Sequence, residues 1–171
     1  PLELNYCPCC GHALDVKEAF GRARRFCPAC DAIVFREHKV AAGVLVEHDG
    51  EVLLVRRRLN PRQGFWSFPA GFVDFDEVPA EAALRECREE TGLEVEIVEL
   101  FDVIAGQGYG DADIVIVYRP QWTRGQRLED HLRAADDVDR VAFFAPHDLP
   151  PLAFRATGEA IDKWRAARRD R

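Results

Sequence analysis

Methionine is absent from the 171-residue sequence, and no apolar run approaches the roughly 18 residues of a membrane-spanning helix. No membrane partner is therefore expected. The opening Pro-Leu-Glu-Leu-Asn-Tyr has neither the basic segment nor the apolar segment of a secretory leader. The missing methionine is what removal of an initiator ahead of Pro1 would leave. Positive charge is also scarce: 23 Lys and Arg against 30 Asp and Glu give a net charge of −7. That balance disfavours non-specific nucleic-acid binding. Anionic substrates stay open, because a divalent metal inverts the local field. Internal repeats and low-complexity tracts are lacking. Cysteine nearly disappears after residue 30, with five of the six before it and Cys87 alone beyond. This distribution reads as a reduced, cytoplasmic protein rather than a disulfide framework.

What remains is ordinary globular material, 47% hydrophobic and 31% charged. The length fits one domain with a small appendage. Composition shifts near residue 36, which divides the chain into a module over 1–36 and a main domain over 37–171.

The cysteines of the module fall as Cys7-Pro8-Cys9-Cys10-Gly11 and Cys27-Pro28-Ala29-Cys30. Taking Cys7, Cys10, Cys27 and Cys30 gives two C-x₂-C knuckles sixteen residues apart, a spacing at which four thiolates reach one tetrahedral Zn²⁺. Spacing alone does not choose between Cys9 and Cys10. Four sulfur ligands leave no open position for catalysis, so the expected zinc is structural. Asp31 stands where a second knuckle glycine would be commoner. The neighbouring Arg22-Ala23-Arg24-Arg25 reads as a solvated turn.

In the main domain, apolar runs at Lys39–Glu47 and Val52–Arg58 flank Asp49-Gly50, a hairpin signal. Helix is expected from Pro79 to Thr91, with proline at its first position and Gly92 past its end. Strands are expected at Leu93–Val103, Ile114–Tyr118 and Val138–Phe144, and a last helix at Thr157–Arg169 with Ile161 and Trp164 on one face. The interleaving lacks regular βαβ alternation, which predicts an α+β fold with a mixed sheet and helices on both faces.

On the first helix, Glu86, Glu89 and Glu90 fall within an arc of about 100°. Ala80, Leu84, Cys87 and Thr91 take the opposite side, free to pack on the sheet. Clustered carboxylates repel one another, and become useful when hard divalent cations sit on them. Arg85, four residues before Glu89, can orient that carboxylate.

Gly71, Glu77, Arg85, Glu86, Glu89, Glu90 and Gly92, with apolar Cys87 and Leu93, meet every fixed position of a 23-residue motif. The segment resembles the Nudix box. The resemblance implies an α/β/α sandwich that hydrolyses a nucleoside diphosphate linked to another group, using Mg²⁺ or Mn²⁺. By position, Glu86 and Glu90 correspond to metal-binding glutamates, completed by the Ala70 carbonyl. Glu89 would be a further ligand or the group orienting the attacking water, and Glu77 a supporting carboxylate. A cysteine module ahead of such a domain is similar to two Nudix groups, the NADH pyrophosphatases and a group acting on ADP-ribose and FAD. The Ser-Gln-Pro-Trp-Pro-Phe-Pro element of the first is missing from residues 94–120. Val40–Gly43, Pro61–Trp66, Pro69–Gly71 and Leu149–Phe154 resemble the second.

The implied activity is release of AMP from ADP-ribose or FAD. The alternatives are an NADH or dinucleoside polyphosphate hydrolase, or a non-catalytic sensor or RNA-binding protein with this fold. Tyr109 is the cue for the dinucleoside substrates. Arg56, Arg57 and Arg62 are candidate phosphate contacts, since a guanidinium offers a bidentate fork. Phe65, Trp66, Tyr109, Trp122 and Phe154 are candidate stacking groups. The acidic run at 136–139 offers Asp137 or Asp139 as an accessory base. A small-molecule nucleotide partner follows, and related ADP-ribose hydrolases dimerise.

Overall fold

The computed structural model describes residues 4–106, 111–122 and 131–169. It divides into two compact units, Pro1–His38 and Lys39–Arg171.

In the first unit, β1 (Asp15–Ala19), β2 (Arg22–Cys27) and β3 (Ala32–Val34) form an antiparallel sheet in that order. Its small core is Cys7, Leu14 and Cys27, with Val34 packed against them. So little apolar material stabilises few residues, and domains this small usually need a metal or disulfides.

The second unit contains β4 (Val40–Val44), β5 (Glu47–His48), β6 (Glu51–Arg57), β7 (Trp66–Ser67), β8 (Ala70–Phe72), α1 (Pro79–Thr91), β9 (Val95–Ala105), β10 (Ile114–Trp122), β11 (Val138–Phe144) and α2 (Arg155–Arg169). Asp49 and Gly50 both have positive φ, 48° and 85°, as the tight turn between β5 and β6 requires. Gly92 ends α1 at φ 75° and donates its N–H to the Arg88 carbonyl.

The strands form two sheets, one of them mixed as expected. The mixed sheet runs β8-β4-β10-β9, with β4 and β10 parallel and the other pairs antiparallel. The second runs β11-β6-β5, with β7 also paired to β6, all antiparallel. Where β4 ends, the chain leaves one sheet and enters the other within a few residues, a change that hydrophobic periodicity does not encode.

Alternation along the strands sorts the core onto two faces. Ala42, Val44, Val46 and Leu53 pack with Ala82, Ala83 and Cys87 of α1. Leu45, Val52, Leu54, Val115 and Val117 pack with Ala156, Ala160, Ile161 and Trp164 of α2. The helices therefore cover opposite faces, giving the α/β/α layering of an α+β fold. Among the described residues, no helix is long and apolar enough to cross a membrane.

Candidate functional site

Residues 70–72 and α1 meet at unusually short range. A Cβ on Gly71 would lie 1.9 Å from Glu86 Oε1 and 2.1 Å from its Cδ. Any side chain at 71 would push this carboxylate aside. Gly43 is similarly confined on the adjacent strand, where a Cβ would meet the Pro69 carbonyl oxygen at 2.4 Å.

This close approach changes the character of the acidic arc. Glu89 is exposed, with 41% of its side chain accessible, but Glu86 retains 13% and Glu90 as a residue only 3%. The arc is thus not the solvated face that its charge suggests. Ala82 and Ala83 supply the sheet-facing surface with Cys87 and Thr91, while Ala80 and Leu84 are half-buried.

Glu90 Oε2 accepts the Ala70 N–H at 3.0 Å. Burial pushes its pKa well above the ordinary carboxylate range, and the Glu86 and Asp137 charges push it further. Burial also raises Glu86, opposed by the Arg85 guanidinium. A buried and a half-buried acidic group raised in this way are suited to a cation that neutralises them.

Arg85 gathers the remaining carboxylates. Its guanidinium donates to Glu77 Oε1 at 2.6 Å, Glu86 Oε1 at 2.7 Å and Glu89 Oε2 at 3.1 Å. It also donates to the Phe72 carbonyl at 3.1 Å, tying α1 to β8. Glu77 is held below its ordinary pKa by Arg85 and accepts the Asp74 N–H, which closes the loop before the helix.

Beside these groups opens a cleft of about 320 Å³ whose lining includes Ala70, Gly71, Glu86, Asp137, Arg57 and Phe154. That volume suits a small ligand. Of the two candidate aspartates, Asp137 lines the cleft. Asp139 instead takes a two-pronged ion pair from Arg56, at 2.7 and 2.8 Å, which lowers its pKa. Neither partner of that pair lines the cleft. Arg57 does, with its guanidinium 5.3 Å from the Phe154 ring; Arg62 lies 5.5 Å from the same ring and 3.5 Å from Asp111. Phe65 is exposed and outside the lining. Tyr109 and the Trp122 side chain lie outside the described residues. Sequence reasoning passed over Ser67, Asp111, Arg155 and Thr157, which line the cleft from separate segments; no local motif marks them.

In the first unit, ligand atoms of Cys7, Cys10, Cys27 and Cys30 all lie within 4.8 Å of one another. The Cys7–Cys30 and Cys10–Cys27 sulfur distances are 4.0 and 3.6 Å. A tetrahedron with Zn–S near 2.3 Å has sulfur–sulfur edges of about 3.8 Å, so the donor set fits zinc. Cys9 is exposed and outside the cluster. Backbone N–H groups of Cys10 and Cys9 draw the Cys7 thiol down to about 6, while the Cys10 and Cys27 sulfurs push Cys30 up to about 12 and burial raises Cys27. Asp31 takes φ 50° at the knuckle position where glycine would be commoner.

Comparison with known proteins gives consistent results. The NUDIX domain family matches residues 37–164. An ADP-ribose pyrophosphatase of Methanocaldococcus jannaschii is 36% identical over 120 residues, covering 67% of this chain and 66% of the relative. A MutT-like protein of Streptomyces ambofaciens is 39% identical over 84 residues, 48% of this chain and 53% of the relative. The chain thus spans between half and two thirds of these relatives' lengths. A crystal structure of a NUDIX hydrolase from Nitrosomonas europaea superposes with a TM-score of 0.75 at 25% identity, over 98% of this chain and 93% of that one. With the match covering the helix, the cleft and both faces of the sandwich, this chain belongs to the NUDIX domain family.

Proposed function

We propose that the protein hydrolyses the diphosphate bond of a nucleoside diphosphate linked to another group, ADP-ribose or FAD, and releases AMP. The observation that carries this reading is the pair of Glu86, half-buried and lining the cleft, and Glu90, buried one helical turn on and held by the Ala70 N–H. Their oxygens and the Ala70 carbonyl are hard donors suited to Mg²⁺ or Mn²⁺, and Glu89 shares the Arg85 guanidinium with Glu86. Bound divalent cations supply charge neutralisation at the diphosphate and lower the pKa of an attacking water.

The protein's own residues do the rest. Arg85 fixes Glu86 and Glu89 in one orientation through its fork. Gly71 leaves room for the Glu86 carboxylate. Asp137, lining the cleft, takes the proton of the water; Asp139, held low by Arg56, is the weaker base. Arg57 at the rim faces the phosphates. The relative from Methanocaldococcus jannaschii, named for ADP-ribose, supports that choice of substrate. The cysteine cluster holds zinc as a structural ion.

The test is incubation with Mg²⁺ and, separately, ADP-ribose, FAD, NADH and a diadenosine polyphosphate, resolving products by chromatography. AMP release from ADP-ribose or FAD, lost in Glu86→Gln, is the expected result. AMP release that survives Glu86→Gln would refute the site assignment.

A further inference from the structure

The cleft is lined by more than carboxylates. Ser67 of β7 and Thr157 of α2 are buried, 7% and 1% exposed, and both line the cleft. Among the described residues neither hydroxyl has a hydrogen-bond partner. Two buried hydroxyls without partners are costly unless a ligand satisfies them.

They do not stand alone. α2 is 15 residues long and begins at Arg155, so its first N–H groups point out of the helix. Those of Arg155 and Ala156 have no partner among the described residues, and both residues line the cleft. The lining they share includes the apolar Ala41, Phe68, Ala112 and Val115. The hydrogen bonds Trp66 N–H to Pro151 and Ala153 N–H to Trp66 hold β7 beside the approach to α2, so that residues of both line the same cleft.

An apolar slot with a few convergent polar groups suits a flat heterocycle presenting a polar edge. A phosphate would leave the apolar walls unmatched. We propose that Ser67, Thr157 and the two free N–H groups at the start of α2 read the edge of the nucleobase, and so determine which nucleotide enters. The inference rests on the proposed nucleotide chemistry of the same cleft but not on hydrolysis. Each hydroxyl both donates and accepts, whereas the N–H groups only donate, so the favoured base edge is rich in acceptors. A buried polar pocket rejects a base that leaves its groups unpaired.

The test is calorimetric titration of the full-length protein with AMP, GMP, CMP, UMP and ribose 5-phosphate, without added Mg²⁺. The wild type is expected to prefer one purine or pyrimidine nucleotide over the others and over ribose 5-phosphate. Thr157→Val and Ser67→Ala should each weaken the preferred nucleotide about tenfold and flatten the preference, leaving ribose 5-phosphate unchanged. Thr157→Val, which removes an unpartnered hydroxyl, should melt no lower than the wild type, so a folding failure is recognisable. Equal weakening of ribose 5-phosphate and mononucleotide would overturn the proposal in favour of a phosphate or sugar occupant. Unaltered selectivity in both variants would overturn it outright. Selective binding without hydrolysis would sink the proposed activity while leaving this inference standing.

Discussion

Replacing Glu90 by glutamine should make the metal-free protein more stable while removing its activity. Glu90 is 3% exposed, and the stabilising contact of its charge is the Ala70 N–H at 3.0 Å. Burial, then Glu86 and Asp137, raise its pKa in the folded state. A raised folded pKa places the stabilising contribution below the unfolded value of about 4.3 and loses it as pH climbs through the folded value. The wild type without divalent cation should therefore weaken from acid toward neutral pH, and Glu90→Gln should not share that loss. The effective cost of an uncompensated buried ion is several kcal/mol. Glutamine keeps an acceptor for the Ala70 N–H but forgoes the charged form of that bond, worth roughly 1.5 kcal/mol. The net gain at neutral pH is about 2 kcal/mol, or roughly 4–8 °C in Tm for a domain of this size. All three tryptophans, Trp66, Trp122 and Trp164, lie in the 39–171 unit. Thermal melts followed by tryptophan fluorescence thus report on the unit that holds Glu90. Mg²⁺ should raise the wild-type Tm more than that of the variant, by mass action on the folded state. A variant less stable than the wild type at pH 7.5 without Mg²⁺ would refute the reasoning. So would a difference that is the same at pH 4 and pH 7.5.

Gly71→Ala should cost less than about 1 kcal/mol of stability, because the obstructing atoms are the movable end of Glu86; turnover should nonetheless fall as far as in Glu86→Gln, measured side by side. Arg85→Lys should resemble Arg85→Ala, since a single ammonium cannot span Glu77, Glu86, Glu89 and the Phe72 carbonyl; each should lose about 1–3 kcal/mol in urea melts. Cys10→Ser should abolish the bound zinc in elemental analysis of the purified protein, whereas Cys9→Ser should retain one ion per chain.

Local patterns in the sequence correspond closely to local structure. Pro79, the apolar spacing and Gly92 delimit α1 at the residues observed, and Asp49-Gly50 marks its turn. Val138–Phe144 is likewise found as read. These features depend on neighbours within a few positions, where propensity and backbone geometry act directly. The fixed positions around the acidic helix were equally legible, because they lie on one continuous segment of β8, the loop after it, α1 and its glycine cap.

Burial and cross-chain encounters behave otherwise. Periodicity places Glu90 on a charged arc, yet the approach of β8 to α1 closes over it. Asp137 and Asp139 look interchangeable in sequence, two residues apart; pairing of β11 with β6 gives Asp139 to Arg56 and leaves Asp137 to the cleft. Ser67 and Thr157 are far apart in the chain and carry no motif, and line one cleft because β7 is held beside the entry to α2. The sequence by itself determined α1 with its proline and glycine ends, the Asp49-Gly50 turn, β11 and the spacing of the acidic residues and cysteine knuckles, since these arise from contacts a few residues apart, whereas Arg22–Arg25, read as a solvated turn, lies in β2. Tertiary packing alone decided which carboxylates lose their water, which arginine Asp139 receives and which residues from separate segments line the cleft. Desolvation and hydrogen-bond partners are properties of space, and the chain sets them only when it closes on itself.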